Sequence, residues 1–424
     1  MRTRLLFISL FSLVVFFTMV SCKKDDSASK PVLTTTELTN ITKTSAKTGG
    51  TITSSGGSDI TARGICYSTL AEPTIDDSTA IDISGLNTFA SNITGLTEGK
   101  TYYFRAYATN GVGTSYGQSV VFGTVKQSLS YGAAYINDIY YSLKNGVIST
   151  EPRAIWDIAF SVSTRSSSII INESTGTTLK AFPSTWTWTS TIDTTGFHSW
   201  VSLRNSDTDW EIGAFNANAS GHPNYGWGIY NSINHNIENT EGGALYIIKL
   251  ADGSCKKIWI ETKYSSLQKY SFRFANLDGS NEKIVSNMDI SNSKANYVYY
   301  SLPNNTRLDR EPDATTWDLL FTKWVDNGIS YPVTGVFQNI GVKAINLTVS
   351  DPSTITYLDS DFLTNINTVG SSWKVNDPIT RLYTIPSDKY YIVKDKTGRI
   401  YQIHFLTFSG STLGDFSFNI KQLQ

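Results

Sequence analysis

One pattern occurs twice in this chain, and it constrains the fold more than any other feature. Residues 140–160 contain Tyr-Tyr-Ser-Leu, then Glu-Pro, then Trp-Asp-Ile-Ala-Phe, and residues 299–321 contain Tyr-Tyr-Ser-Leu, then Glu-Pro, then Trp-Asp-Leu-Leu-Phe. Downstream, residues 246–260 and 391–405 also correspond, with matching offsets from a lysine to a glycine to an apolar pair. Solenoid repeats are about 20–50 residues long. This longer period therefore indicates a duplicated domain.

Length and composition set the class of protein. At 424 residues the chain is too long for one ordinary domain, and we assign residues 130–280 and 290–424 to the two repeats. Neither repeat has a helical period, whereas both alternate apolar and polar residues between turn dipeptides, so we predict an all-β chain with mostly antiparallel sheets. A net charge of -1 argues against a surface that neutralises nucleic-acid phosphates, so we expect no nucleic-acid partner.

The N-terminus reads as an export signal followed by an anchor. Residues 1–21 have a basic start and an apolar run, which is typical of a secretory signal peptide. The small residue directly before Cys22 resembles a bacterial lipobox, in which the cysteine thiol is lipidated. Residues 22–30 then form a polar tether, and its acidic pair resembles the surface-export signal of Bacteroidota lipoproteins. We expect a lipid anchor in the outer membrane with the protein facing the cell exterior; the alternative is an ordinary signal peptide with an unrelated cysteine.

Residues 31–125 consist of short alternating segments separated by turns, which predicts a β-sandwich. Leu96, Gly99 and Tyr102 have the spacing of a tyrosine corner, in which the hydroxyl bonds back to the backbone. The segment resembles the fibronectin type III domain in the variant common in Bacteroidota surface proteins. That resemblance implies a spacer, and we interpret Cys66 within it as a buried free thiol.

The strand after each Glu-Pro pair carries the structural core motif. Alternation places Trp156, Ile158 and Phe160 on one face, directed into a core, and Asp157 on the other face, where it caps a turn. The motif comprises three residues in each repeat: Trp156, Asp157 and Phe160, and Trp317, Asp318 and Phe321.

The order of these motifs carries a resemblance to a known family. Paired tyrosines, the Trp-Asp strand, a short apolar strand ending in asparagine and a late hairpin resemble the HmuY family of Bacteroidota, across roughly 134–278 and 294–424. The best-known members are lipid-anchored haemophores. The resemblance therefore implies binding of haem or a related ligand, and its delivery to a TonB-dependent outer-membrane receptor. This chain departs from those members by having two copies and a fibronectin-like spacer.

Haem-binding relatives hold the iron through axial histidines or methionines, which limits the candidates here. His235 with either His222 or His198 is the pair we consider, because these residues precede the late hairpin of the first repeat among many aromatics. Met288 is the only methionine after the signal peptide. The second repeat has only His404, which alternation turns away from the core, so any haem is expected in the first repeat.

Other chemistry finds little support in the sequence. There is no nucleophile elbow and no zinc spacing, so we expect no enzyme and no metal beyond haem iron. Asp138, Asp252 and Asp278 suit turns.

The alternative function is a structural or adhesive surface lipoprotein that binds a glycan or a protein without haem, and a third is an interaction module of an envelope complex. Five tryptophans could form a stacking platform: Trp186, Trp188, Trp200, Trp210 and Trp227.

Overall fold

A computed structural model describes residues 28–423 and contains strands and 3-10 helices but no α-helix in that range, which confirms the all-β prediction. The signal peptide and Cys22 lie outside the described residues. The strands are β1 (Val32–Thr35), β2 (Ala46–Ser54), β3 (Ala62–Ser68), β4 (Ser78–Ile81), β5 (Thr88–Ile93), β6 (Tyr102–Asn110), β7 (Gly113–Tyr116), β8 (Val120–Phe122), β9 (Thr124–Ser130), β10 (Asn137–Ser142), β11 (Gly146–Pro152), β12 (Ile158–Ser161), β13 (Ile169–Ile171), β14 (Thr178–Ala181), β15 (Ser202–Leu203), β16 (Ile229–Tyr230), β17 (Ile237–Glu238), β18 (Tyr246–Lys249), β19 (Cys255–Tyr264), β20 (Lys269–Asn276), β21 (Lys283–Asp289), β22 (Tyr297–Ser301), β23 (Thr306–Leu308), β24 (Leu319–Asp326), β25 (Tyr331–Gln338), β26 (Lys343–Thr348), β27 (Val375–Asn376), β28 (Tyr383–Thr384), β29 (Lys389–Lys394), β30 (Ile400–Phe408) and β31 (Asp415–Gln422).

Short 3-10 helices punctuate the loops of the repeats: Ala133–Tyr135, Arg153–Ile155, Glu173–Thr175, Phe197–Ser199, Ala214–Asn216, Pro352–Thr354 and Asp359–Asp361. Within residues 28–423, none of the helices is long and apolar enough to span a membrane.

The chain forms two compact units, and the first comprises the described residues up to Glu98 together with Tyr102–Val121. It contains a three-stranded sheet, β1-β2-β5, and a second sheet, β4-β3-β6-β7, with β8 also paired to β6. Apolar residues from both sheets are buried, among them Phe89 and Phe104. Cys66 is fully buried, and burial raises the pKa of its thiol to about 11, so the reactive thiolate is strongly disfavoured.

The Tyr102 hydroxyl is hydrogen-bonded to Thr97, five residues upstream. The backbone N–H of Thr97 donates to it at 3.3 Å, and the hydroxyl lies 3.4 Å from Thr97 Oγ1, to which it donates. Tyr102→Phe removes these bonds, so we expect the first unit to lose about 1 kcal/mol of stability. Calorimetry of the soluble chain measures this, with Tyr103→Phe as the neighbouring control. Superimposable transitions for both variants would rule out a stabilising corner.

The second unit, residues 99–101 with Phe122–Gln424, holds both repeats in four main sheets. One outer sheet, from the first repeat, has the order β15-β14-β18-β19-β17-β16, and β20 and β21 extend it from β19. The other outer sheet, β26-β29-β30-β31-β9, combines the second repeat with the strand that precedes the first. A separate two-stranded hairpin is formed by β27 and β28.

Two further sheets are shared between the repeats. In shared sheet A, β11-β10-β24-β25, the Tyr-Tyr hairpin of the first repeat pairs with the Trp-Asp strand of the second. In shared sheet B, β13-β12-β22-β23, the Tyr-Tyr hairpin of the second repeat pairs with the Trp-Asp strand of the first. Neither sequence range, 130–280 or 290–424, therefore contains a complete set of its own sheets.

Each shared sheet covers one outer sheet and forms a core with it. Ile158, Phe160 and Tyr300 belong to the core under the first outer sheet, and Tyr141 and Phe321 belong to the core under the second. Alternation along the strands turns the intervening residues to the opposite faces. The first tyrosine of each Tyr-Tyr pair therefore leaves these cores and lies between the two shared sheets.

One expectation about the core motif was wrong. Trp156 does not share a face with Ile158 and Phe160; it packs between the shared sheets with Ala159 and Tyr299. The period-2 argument fails because Trp156 precedes β12 and directly follows the 3-10 helix Arg153–Ile155. Its side chain is nevertheless buried.

Candidate functional site

The two aspartates of the repeated motif join the repeats to each other. Asp157 Oδ2 accepts a hydrogen bond from the backbone N–H of Leu302 at 2.8 Å, and Asp318 Oδ2 accepts one from the N–H of Leu143 at 2.8 Å. Each aspartate thus caps the turn that follows Tyr-Tyr-Ser-Leu in the other repeat. The similarity of the two motifs therefore reflects a reciprocal contact.

The aromatic residues of the motif repeat this reciprocity. The Trp156 ring packs edge-on against Tyr299, with ring centroids 4.9 Å apart, and the Trp317 ring packs edge-on against Tyr140 at 5.1 Å. The hydroxyl oxygens of Tyr140 and Tyr299 lie 3.4 Å apart, which brings the two shared sheets together. This layer is the floor of the candidate site.

A slot with a cavity volume of about 80 Å³ opens to solvent between the shared sheets. Its aromatic lining comes from both repeats: Trp156, Trp210, Tyr299, Trp324 and Phe337. Trp210 is half-buried, and its Nε1 donates to the carbonyl of Gln338 at 2.8 Å, which fixes the orientation of its indole. We call this cavity the inter-repeat slot.

A buried ion cluster lies at one wall of the slot. Asp138 Oδ1 accepts from Arg153 Nε at 2.8 Å and from the Thr322 hydroxyl at 2.7 Å, while Oδ2 accepts from Arg310 Nη2 at 2.9 Å. Burial alone would raise the pKa of Asp138, but the two guanidinium groups outweigh burial and hold its pKa below the usual value. Asp138 is therefore a buried strand residue, and the prediction that it lies in a turn was wrong.

Three residues of the slot lining each carry a buried donor that makes no hydrogen bond with any described residue. The donors are Nε1 of Trp156, Nε1 of Trp324 and Nε of Arg310. All three side chains are more than nine-tenths buried. Buried donors in native proteins almost always have a partner, because leaving one unpaired costs about 1–3 kcal/mol. Their concentration in one slot indicates that an acceptor belongs there.

Two carboxyl groups near the slot titrate close to neutral pH. Burial raises the pKa of Glu311 to about 7, although it accepts hydrogen bonds from Tyr297 N–H and from the Tyr299 hydroxyl. Burial likewise raises the pKa of Glu173, which lines the slot, to about 7. When the pH drops below neutral, these carboxyl groups take up protons, and the surroundings of the slot become less negatively charged.

The structure brings two of the three candidate histidines to one tyrosine. The His222 and Tyr230 ring centroids are 4.9 Å apart, and His235 Nδ1 lies 2.5 Å from the Tyr230 hydroxyl. Both imidazoles are exposed, and Tyr230 lies between them. His235 also has a left-handed φ of 60°, an uncommon conformation for a residue other than glycine. No group of three or more metal-ligating side chains occurs among residues 28–423.

The third candidate, His198, lies elsewhere in the sequence of elements. It lies in the 3-10 helix that leads into β15, where its backbone carbonyl accepts a hydrogen bond from Lys180 Nζ at 3.2 Å. His222 and His235 flank β16 of the same sheet. The pairing of His198 with His235 stays a prediction.

The remaining candidate ligands are engaged in packing. Met288 is buried in the core under the first outer sheet. His404 stacks on Tyr390, with ring centroids 4.4 Å apart, and burial lowers its pKa.

The five tryptophans considered as a possible stacking platform differ in how deeply they are buried. Trp186, Trp188 and Trp227 are buried, whereas Trp200 and Trp210 are half-buried. Trp200 contacts Phe182 and Phe197 on the first outer sheet. Trp210 is therefore the one of the five that lines the slot.

Comparison with known proteins gives weak similarities. No family model matches the chain, and no curated protein matches it. A protein of Bacteroides fragilis described as a putative lipoprotein is 13% identical, with a TM-score of 0.21, over 39% of this chain and 88% of that one. The apo form of PinO from Porphyromonas gingivitis is 15% identical, with a TM-score of 0.19, over 42% of this chain and 88% of that one. Similarities of this size say nothing about the ligand.

The sequence did not reveal the slot. Trp324 and Arg310 belong to no motif, and they meet Trp156 and Asp138 only because strands of the two repeats exchange partners. The duplication itself was visible in the sequence, but the packing between the two copies was not. The one local signal of the slot in the sequence was Asp138, a charged residue at an inward position of an alternating strand.

Proposed function

We propose that this protein is a lipid-anchored cell-surface protein that binds a ligand in the inter-repeat slot. In this proposal the first unit is a fibronectin-like spacer, and the second is a doubled HmuY-like unit whose two copies build one site. The observation that carries the proposal is the set of three unpaired donors in an aromatic slot, from Trp156, Trp324 and Arg310. A ligand with acceptor atoms would satisfy them.

Ligand binding explains these donors better than a purely structural role does. The neighbouring polar groups are well paired: Asp138 accepts three hydrogen bonds, and Glu311 accepts from two backbone N–H groups and from the Tyr299 hydroxyl. These two carboxyl groups thus leave none of their own buried oxygens without a partner, whereas the indole nitrogens beside them, that of Trp317 included, have none among the described residues. A pre-formed apolar slot with a few fixed polar atoms is the usual form of a small-ligand site.

A dye titration tests whether the slot accepts a ligand. The soluble chain starting at residue 23 is titrated with the uncharged dye N-phenyl-1-naphthylamine, and we expect one saturable site that Trp210→Ala weakens. Trp200→Ala is the matched control, because Trp200 is also half-buried but packs on the first outer sheet. Equal binding by all three proteins would show that the slot is closed to ligands, against the proposal.

The anchor rests on Cys22 and is testable by itself. We expect metabolically supplied palmitate to label the protein, and Cys22→Ala to abolish the label, because the thiol is the proposed attachment point. More than one acyl chain is needed for stable anchoring. Cys66→Ala is the control, since the Cys66 side chain is buried. Labelling that persists in Cys22→Ala would exclude the lipobox. Exposure to the exterior is tested with protease added to intact cells.

Haem is the second candidate ligand, because two imidazoles of the first repeat contact the same Tyr230 ring. Ligation of one iron by His222 and His235 would require Tyr230 to swing out from between them. In that case the protein would capture haem, from solution or from a haem protein, and pass it to a TonB-dependent outer-membrane receptor.

Haemin titration followed by visible absorbance tests this candidate in the soluble chain, with His235→Ala and Trp210→Ala alongside. If the histidines bind haem, we expect a Soret shift that saturates at one equivalent, is lost in His235→Ala and is kept in Trp210→Ala. A shift lost only in Trp210→Ala would place haem in the slot. A featureless response in all three proteins would remove haem and leave the adhesive alternative, in which the protein binds a glycan or a protein.

A further inference from the structure

We infer that the inter-repeat slot, with a groove that continues from it, binds one end of a neutral oligosaccharide. A terminal sugar ring lies against Trp210, and the following sugars run outward along the groove. This inference deepens the proposed function and rests on it, since it names the ligand class of the same slot.

The aromatic walls suit the flat apolar face of a sugar ring. Trp210 and Trp324 both contact Phe337, with ring centroids 5.6 and 4.3 Å apart, so the aromatic rings form one continuous surface. Trp210 keeps part of its ring exposed, while the bond from its Nε1 to Gln338 holds the ring in place. A fixed, half-exposed indole provides apolar contact area at little cost in side-chain entropy.

The polar lining matches hydroxyl groups, which both donate and accept hydrogen bonds. The unpaired donors of Trp156, Trp324 and Arg310 require acceptors. On the other side of the slot, Asp207 and Asp209 supply acceptors. A ligand that only accepts hydrogen bonds would leave the two aspartates without a donor, and a ligand that only donates them would leave the three donors unpaired.

The charge of the lining argues for a neutral ligand over an acidic one. Asp138, Glu173, Asp207 and Asp209 line the slot against Arg310 and Lys323. Arg310 is already paired with Asp138, which leaves Lys323 as the remaining cation against three further carboxyl groups. A carboxylate or sulfate on the ligand would therefore meet more carboxyl groups than available cations in the slot.

The groove extends the site beyond one sugar ring. It has a cavity volume of about 450 Å³ and shares Glu173, Ser174, Lys323 and Val325 with the slot, so the two are continuous. Its walls have no aromatic ring; they carry hydroxyl groups and one guanidinium, from Thr175, Thr178, Ser202, Ser330 and Arg204. Hydrogen bonds rather than stacking would hold the later sugars.

The inner end of the slot is closed. Tyr140 and Tyr299 meet there through their hydroxyls, and both side chains are buried together with Trp317. A chain cannot pass through this layer. The slot therefore admits the end of an oligosaccharide rather than an internal stretch.

The test starts with an array of neutral and acidic glycans probed with the soluble chain. Oligosaccharides of increasing length from the best neutral series are then titrated by calorimetry. We expect Trp210→Ala to weaken every length by about tenfold or more, as for a central aromatic anchor. Arg204→Ala should weaken only the longer chains, because Arg204 lies in the groove. Trp200→Ala should bind as the unaltered chain does.

Several results would overturn the inference. Preference for acidic glycans, binding that Trp210→Ala leaves intact, or no glycan binding at all would each contradict it. The dye titration on the same proteins separates the two levels of the proposal. Dye binding that depends on Trp210, without glycan binding, would contradict only the proposed ligand class. If neither the dye nor any glycan bound, the proposal that the slot is a binding site would be wrong as well.

Discussion

Trp317→Ala is expected to destabilise the second unit by about 3–5 kcal/mol, the range for removing a large aromatic side chain from a core. Trp317 is only 1% exposed, and it packs against Tyr140 of the other repeat. Its loss leaves a cavity between the two shared sheets. This cavity cannot collapse fully, because strands of both repeats form the sheets on either side of it. All ten tryptophans lie at or beyond residue 156, so denaturant unfolding followed by tryptophan fluorescence reports the second unit alone.

Two comparisons make this result specific. Trp156→Ala should have a similar effect, because Trp156 packs against Tyr299 in the reciprocal position. Ile379→Ala is the control, since Ile379 is 89% exposed and its truncation should change stability by less than about 0.5 kcal/mol. If Trp317→Ala unfolded at the same denaturant concentration as the unaltered chain, the packing between the shared sheets would not be what holds the unit together.

Asp138→Asn is expected to destabilise the second unit by about 3–5 kcal/mol, as for breaking a buried ion pair by removing one partner. The Asp138 side chain is about 5% exposed and bonds Arg153 and Arg310, one from each repeat. The neutral amide leaves both guanidinium groups buried without a counter-charge, and its amino group cannot accept a hydrogen bond. The measurement is again denaturant unfolding followed by tryptophan fluorescence.

The matched control is an ion pair of similar length at the surface. Arg307 Nη2 lies 2.6 Å from Asp309 Oδ1, and the Asp309 side chain is 68% exposed. Asp309→Asn should therefore cost less than about 1 kcal/mol, because water screens the pair. Equal effects of Asp138→Asn and Asp309→Asn would mean that the buried cluster contributes no more than a surface pair.

The exchange of strands has a consequence for binding. Each Tyr-Tyr hairpin completes a sheet of the other repeat, so the slot exists only when both repeats are folded. We therefore expect variants that disrupt the shared sheets to lose both stability and ligand binding. A change such as Trp210→Ala, at the half-buried edge of the slot, should affect binding more than folding.

The sequence by itself determined the all-β class and the duplication. Alternation with period 2 is a local property of each strand, so it can be read without knowing any strand's partner. Phe160 and Phe321 lie in the cores that the same pattern predicts. Trp156 and Trp317 are buried as well, but on the opposite face, because both precede the strands in which the alternation holds.

Only the tertiary structure decided which strands pair, and with them the site. A strand presents the same edge groups to any neighbour, so the pattern cannot show that β10 pairs with β24 of the other repeat or β12 with β22. That choice placed Asp157 on the turn of the second repeat and Asp318 on the turn of the first. The slot depends on contacts between residues more than a hundred positions apart, and no local pattern encodes such contacts.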